Sequence, residues 1–139
     1  DATDHDAARL VATHPEQGPL MRLYLGPGFR WANAMGPVRD PRIMDWRNAL
    51  ERLQKNRPKA TSDALVATLA PGQHLLLVQP IIRSSRWGAP WTELVRRRAA
   101  QWERRLDRNP RLARVLTAPH FNGRRLPRGV RAVLYEAVP

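Results

Sequence analysis

One stretch of the chain decides the fold: HLLLVQPIIRSSRWGAPWTELVRRRAAQWERRLDR (His74–Arg108). Its first part, His74–Ile82, is a run of apolar residues followed by turn residues, which is typical of a strand buried on both faces. Its last part, Trp91–Arg108, repeats apolar residues at helical spacing, which predicts an amphipathic helix. The apolar stripe of that helix consists of Val95, Ala99, Trp102 and Leu106.

The loop between this strand and this helix is the best candidate for a ligand site. Ligands of open α/β sheets usually bind at the carboxyl ends of the strands. Arginine binds phosphate or carboxylate through two N–H groups, serine donates hydrogen bonds, and tryptophan stacks on a sugar or a base. The predicted ligand-binding residues are Arg83, Ser84, Ser85, Arg86, Trp87 and Trp91. The structural alternative is that Trp91 packs at the start of the helix and Trp87 covers the edge of the core.

The rest of the chain supplies further elements on both sides of this stretch. Helices are predicted at Asp4–His14, at Trp46–Lys55 with Asp45 as its cap, and at Asp63–Leu69 with Thr61 or Ser62 as its cap. Strands are predicted at Leu20–Leu25, Arg42–Trp46, Leu112–Leu116 and Val130–Ala137, and Phe29–Val38 is predicted to be irregular. This order predicts one α/β domain over residues 1–139: a three-layer, Rossmann-like domain with a mostly parallel sheet and an antiparallel C-terminal hairpin.

The composition restricts the class of protein. A chain of 139 residues with 42% hydrophobic residues and five tryptophans favours a folded domain over a disordered tail. No apolar run approaches the ~18–20 residues that a membrane span requires. The absence of cysteine excludes disulfides and thiolate metal sites but leaves the compartment open. The chain starts without Met, which suggests a piece of a longer protein.

The charge is strongly positive. The net charge is +12, and 22 of the 24 basic residues are arginines. Such a charge attracts phosphates or an anionic membrane surface, although it could also serve solubility alone. On the predicted helix, the basic surface consists of Arg97, Arg104, Arg105 and Arg108, which is either a solvated face or a footprint for lipid headgroups or nucleic acid.

No pattern of catalytic, metal-binding or cofactor-binding residues is recognisable. The four histidines are scattered without metal-ligand spacing, and Ser84 and Ser85 lie outside any G-x-S-x-G motif. The Gly26-Pro27-Gly28 sequence lacks the third glycine of a dinucleotide fingerprint and the Lys-Ser/Thr of a P-loop, so it predicts a turn. We therefore expect no cofactor, and no catalysis by this chain alone.

Three segments resemble a known family: DPRIMDWRNALERL (Asp40–Leu53), GQHLLLVQPIIRSSRWGAPWTELVRRRAAQWERRL (Gly72–Leu106) and LPRGVRAVLYE (Leu126–Glu136). Their residue pattern is similar to that of the soluble C-terminal domain of actinobacterial polytopic membrane glycosyltransferases of the GT-C, mannosyltransferase-like type. The resemblance implies an accessory domain on the extracytoplasmic face of the cell membrane, which positions a glycan or a polyprenyl-phosphate-linked substrate. The implied partners are the transmembrane part of the same protein and an anionic lipid or glycan.

Two alternatives remain open. A parallel sheet that ends in an antiparallel hairpin is also similar to the C-terminal half of Rossmann-like methyltransferases, but the first strand lacks their glycine-rich cofactor loop. A basic nucleic-acid-binding module is the third interpretation and depends on charge alone. A helix that reads bases would need Asn, Gln or Ser among the exposed arginines, and only Gln101 meets this requirement. Either alternative would place the protein in the cytoplasm.

Overall fold

The computed structural model describes residues 8–13, 22–23, 25–26, 28–33, 36–43, 47–80, 90–118 and 130–139. The strands are β1 (Ala8–Thr13), β2 (Arg30–Asn33), β3 (Gly36–Val38), β4 (His74–Pro80), β5 (Leu112–Ala118) and β6 (Val130–Ala137). The helices are α1 (Ala49–Lys55) and α2 (Pro58–Ala67) between β3 and β4, and α3 (Pro90–Arg108) between β4 and β5.

The strands form one mixed sheet in the order β3-β2-β1-β4-β6-β5. Strand β1 is parallel to both of its neighbours, β2 and β4. The other three pairings, β2 with β3, β4 with β6 and β5 with β6, are antiparallel. The prediction of a mostly parallel sheet is therefore wrong, because the chain returns through β6 next to β4 instead of adding another parallel strand.

Helices α2 and α3 pack on one face of this sheet, and α1 is connected to α3 through Arg98. Leu75 and Leu77 of β4 share a core with buried residues of α2, α3 and β6, which are Leu65, Val66, Leu69, Trp102, Leu106, Val133, Tyr135 and Ala137. On the opposite face, Val78 packs with Trp31 and with partly buried apolar residues from the sheet and from Leu25 and Phe29. In the described part of the chain this second face carries none of α1–α3, so the predicted three-layer, Rossmann-like domain is also wrong.

The N-terminal region contains a second correction. The prediction of a helix over Asp4–His14 is wrong at Ala8–Thr13, which forms β1. Backbone pairing explains the difference: Val11 lies between Trp31 of β2 and Leu76 of β4, so the strand is paired on both sides. Long-range hydrogen bonds of this kind override a weak local helix preference.

Residues 20–46 also differ from prediction. The predicted strand Leu20–Leu25 is helical at Arg22, Leu23 and Leu25, and the N–H of Gly26 donates to the carbonyl of Arg22 at 3.0 Å. The segment Phe29–Val38, predicted to be irregular, contains the antiparallel pair β2–β3.

The predicted strand Arg42–Trp46 begins as a turn. The N–H of Arg42 donates to the Asp40 carboxylate at 3.0 Å, and the N–H of Ile43 donates to the carbonyl of Asp40 at 3.2 Å. Aspartate commonly stabilises turns through this local hydrogen bond. Asp45 and Trp46 lie outside the described residues.

The two helices before β4 are confirmed, with shifted starts. Helix α1 begins at Ala49, after Asn48 in a left-handed conformation. Helix α2 begins at Pro58 instead of Asp63, since the fixed φ and missing N–H of proline suit the first position of a helix. Ser62 is therefore not a cap but a buried residue inside α2, and its hydroxyl donates to the carbonyl of Lys59 at 3.2 Å.

The stretch from β4 to β6 agrees closely with prediction. Strand β4 covers His74–Pro80 of the predicted run, helix α3 adds only Pro90, and β6 has the predicted bounds. Strand β4 is an inner strand, between β1 and β6. Within the described ranges, no helix combines the length and the apolar character that crossing a membrane requires.

Candidate functional site: a cationic groove

The predicted ligand-binding loop lies almost entirely outside the residues that the structure describes. Arg83, Ser84, Ser85, Arg86 and Trp87 lie outside the described residues, and Trp91 is the second residue of α3. The loop is connected to the end of an inner strand, β4, as the prediction assumed. Its role as a ligand site stays a prediction.

The predicted basic surface, in contrast, forms one wall of a cavity. We call this cavity of about 540 Å³ the cationic groove. It lies between α3 and the corner where α1 ends and α2 begins. Its lining residues are mostly basic or amide side chains: Gln54, Arg57, Pro58, Lys59, Arg98, Gln101, Arg104, Arg105 and Arg108. Three of the four predicted surface arginines are therefore brought together, whereas Arg97 is exposed elsewhere on α3.

Helical spacing places the α3 side chains along the groove. Arg98, Gln101, Arg105 and Arg108 follow one another at intervals of 3, 4 and 3 residues, which keeps them on one stripe of the helix. With a rise of about 1.5 Å per residue, Arg98 and Arg108 are about 15 Å apart along the helix axis. A neighbouring stripe of α3 buries Trp102 and Leu106 in the core, so core packing sets the direction in which the basic stripe faces.

Arg98 is held rigidly at one end of the groove. Its Nε donates to the carbonyl of Leu53 at 3.1 Å, and its Nη2 to the carbonyl of Gln54 at 3.5 Å. Both carbonyls belong to the last turn of α1, where backbone acceptors lack helical partners. Its Nη1 donates to Oε1 of Gln101 at 3.0 Å. Arg98 therefore connects α1 to α3, and no carboxylate compensates its charge, because all three acceptors are neutral.

The other groove arginines differ from most arginines of the described chain. The side chains of Arg57, Arg104, Arg105 and Arg108 make no hydrogen bond or ion pair with any described residue. Elsewhere, Arg30 donates to Thr68, Arg42 to Asp40 and Arg111 to the carbonyl of Leu69, and Arg114 and Arg131 are paired with carboxylates. Lys59 is paired with Asp63 at 3.0 Å, but both side chains are largely exposed. Four guanidinium groups thus share one cavity without a described partner.

The groove arginines lie near two helix ends, whose dipoles affect them differently. Arg105 and Arg108 lie in the last turn of α3, where the helix dipole favours positive charge. Arg57, however, precedes the first turn of α2, which contains no acidic residue and no side-chain cap. A cation at this end of a helix is unfavourable. The like charges of Arg104 and Arg108, four residues apart, also repel each other by about 0.2–0.5 kcal/mol. A bound anion would relieve both unfavourable interactions.

A second cluster of charged residues is fully paired. Glu103 and Asp107 of α3 face Arg114 of β5 and Arg131 of β6, with N–O distances of 3.3 Å or less. The hydroxyl of buried Tyr135 donates to Asp107 at 2.8 Å. This cluster connects α3 to the sheet and presents no unpaired group. Among the residues described here, no set of three His, Asp or Glu side chains is arranged to hold a metal ion.

The residues that sequence reasoning missed are those of the α1–α2 corner. Pro58 was the available signal, because a helix that starts at proline places Arg57 at its N-terminus. The spacing of Arg98 from Arg105 and Arg108 was also visible in the sequence. Nothing local indicated that the corner packs against α3.

Comparison with protein-family models, curated proteins and solved structures found no match to this chain. The resemblance to membrane glycosyltransferases therefore remains a prediction from the sequence.

Proposed function

We propose that this chain is a non-catalytic binding domain that takes a phosphate-bearing anion in the cationic groove. We further propose that it acts as an accessory domain of a membrane glycosyltransferase-like protein. The observation that carries the first proposal is the presence of four arginines without described partners in one cavity, Arg57, Arg104, Arg105 and Arg108.

The chemistry of the groove suits phosphate. A guanidinium group presents two parallel N–H donors to a phosphate or carboxylate, and charge-assisted hydrogen bonds of this kind are about twice as strong as neutral ones. Arg98 is already fixed by α1 and Gln101, so part of the ordering cost of binding is met before the ligand arrives. Gln54 and Gln101 add neutral amide groups to the lining.

The second proposal is supported by the resemblance of Asp40–Leu53, Gly72–Leu106 and Leu126–Glu136 to the extracytoplasmic domains of such enzymes. A polyprenyl-phosphate sugar and an anionic lipid headgroup both carry the anion that the groove suits. The partners of the domain are then the transmembrane part of the same protein and its phosphate-linked or glycan substrate. The location is the extracytoplasmic face of the cell membrane.

A pair of charge-matched variants tests the binding site. We expect Arg105→Gln to weaken the binding of inorganic phosphate and of a hexose 1-phosphate by about tenfold, which corresponds to the loss of about 1.4 kcal/mol. Arg97→Gln, on the same helix and outside the groove, removes the same charge and should leave the affinity within about twofold. Isothermal titration calorimetry at constant ionic strength measures both.

Three outcomes would contradict the proposal. Equal losses in the two variants would indicate general charge attraction instead of a site. No binding of either phosphate compound by the wild-type protein would remove the proposed function. Tight binding of an oligonucleotide whose affinity falls steeply with salt, together with negligible binding of the small phosphates, would favour a nucleic-acid-binding module.

A further inference from the structure

The cationic groove carries more charge than one phosphate can neutralise. Its basic side chains are those of Arg57, Lys59, Arg98, Arg104, Arg105 and Arg108, and none of the described residues that line it carries a carboxylate. Only Lys59 has a described carboxylate partner, Asp63, at 3.0 Å. A single phosphate group carries about −1.5 to −2 charges at neutral pH. Several positive charges would then remain uncompensated around a monophosphate.

The positive charge is also spread along the groove. Arg98 and Arg108 are separated by about 15 Å along the axis of α3, and Arg104 lies between them. Arg57 and Lys59 stand on the opposite wall, at the start of α2. Hydrogen bonds to phosphate oxygens require donor–acceptor distances of about 2.7–2.9 Å, so a second phosphate group increases the number of these donors that one ligand contacts.

From this charge and this spread we infer that the groove binds a small ligand with at least two linked phosphate groups, of the diphosphate class. The inference depends on the proposed function and specifies its ligand. The volume of about 540 Å³ lies within the range of about 300–1,000 Å³ that is usual for small-molecule sites. The groove is concave, so it suits a compact polyanion better than the plane of a bilayer surface.

The two ends of the groove have different roles. At one end, Arg98 is fixed by three hydrogen bonds, and Oε1 of Gln101 accepts one of them. This bond orients the amide of Gln101, whose Nε2 is left to donate to a ligand oxygen. Towards the other end, the side chains of Arg104 and then Arg108 are exposed and have no described partner. The first phosphate binds the fixed end, and the second phosphate recruits the exposed arginines.

A series of simple anions tests this inference. We expect pyrophosphate to bind at least about tenfold more tightly than inorganic phosphate at equal ionic strength, a difference of about 1.4 kcal/mol. Arg108→Gln should lower the affinity for pyrophosphate by about tenfold and change that for inorganic phosphate by less than about twofold. Arg98→Lys should weaken both anions, because a single ammonium group replaces the several N–H donors of the guanidinium, which both fix Arg98 and face the ligand. Circular dichroism spectra and melting curves verify that each variant is folded.

The outcomes separate this inference from the proposed function. If phosphate and pyrophosphate bind equally well, and Arg108→Gln changes the two affinities by the same factor, the groove is a monophosphate site. The inference is then wrong and the proposed function stands. If neither anion binds, both are wrong. If vesicles with anionic lipid bind and pyrophosphate does not displace them, the ligand is a membrane surface and the inference is overturned.

Discussion

At the scale of single residues, Tyr135 shows how the chain attaches α3 to the sheet. Its side chain is completely buried, and its hydroxyl donates to Asp107 at 2.8 Å. Arg114 binds the same carboxylate at 2.6 Å and lies 5.7 Å from the centre of the tyrosine ring. Burial, reinforced by the hydrogen bond to Asp107, raises the pKa of the Tyr135 phenol well above its ordinary value. The phenol therefore remains protonated in the folded protein at alkaline pH.

Replacement of Tyr135 by phenylalanine should lower the free energy of unfolding by about 1.5–3 kcal/mol near neutral pH, since a hydrogen bond to a charged group is lost. The raised pKa also predicts a pH dependence. Its stabilising contribution is present below the unfolded-state pKa of about 10 and is lost as the pH rises above it, because the unfolded chain then releases the proton more easily.

Urea unfolding between neutral pH and about pH 11 measures this effect, with the second tyrosine, Tyr24, common to both proteins. Wild type should lose stability above about pH 10 more steeply than Tyr135→Phe. Parallel curves for the two proteins would show that the phenol is not perturbed.

At the scale of elements, α3 packs on the sheet with an apolar stripe and lines the cationic groove with a basic stripe. Trp102 and Leu106 are buried against the sheet, and the amide Nε2 of Gln79 in β4 donates to the carbonyl of Ala99 at 2.6 Å. The basic stripe beside it lines the cationic groove. The position of the groove arginines thus depends on how α3 packs on β4 and β6.

Truncation of a buried and of an exposed leucine tests the packing of α3 on the sheet. Leu106→Ala should destabilise the protein by about 2–5 kcal/mol, the usual cost of truncating a buried leucine, because Leu106 is only 1% exposed. Leu116→Ala, on edge strand β5, removes the same atoms from a side chain that is 51% exposed and should cost no more than about 0.5 kcal/mol. Chemical denaturation measures both, and similar costs would mean that α3 does not pack on the sheet as described.

At the scale of the whole molecule, the net charge of +12 opposes compactness through self-repulsion. Exposed ion pairs such as Arg42–Asp40 contribute little to offset it. The groove concentrates this repulsion, because its guanidinium groups lie close together without described acidic partners.

Salt should therefore stabilise this protein. Raising sodium chloride from about 0.01 M to about 0.1 M shortens the screening length from about 30 Å to about 10 Å, and we expect the thermal midpoint to rise. Sodium phosphate at the same ionic strength should raise it further, since an anion that binds only the folded state adds to stability. A midpoint that falls with chloride would show that favourable ion pairs dominate, and equal effects of the two salts would argue against specific anion binding.

The candidate site was partly predictable. Arg104, Arg105 and Arg108 were identified because helical spacing and the apolar stripe of α3 show which side of the helix is exposed. Arg57 and Lys59 were not identified, because their proximity to the arginines of α3 depends on the packing of the α1–α2 corner against a helix that is distant along the chain. The ligand-binding loop predicted at Arg83–Trp91 stays a prediction.

The sequence by itself determined the elements whose residue pattern shows which side is buried: the apolar run of β4, the two stripes of α3 and the alternation of β6. It also determined the excess of positive charge. Only the tertiary structure decided that Ala8–Thr13 is a strand, that β2 pairs antiparallel with β3 and β4 with β6, and that α2 and α3 pack on the same face. The physical reason is that local patterns specify which side of an element is buried. Strand order, strand direction and the meeting of distant arginines depend on hydrogen bonds and packing between segments that are far apart in the chain.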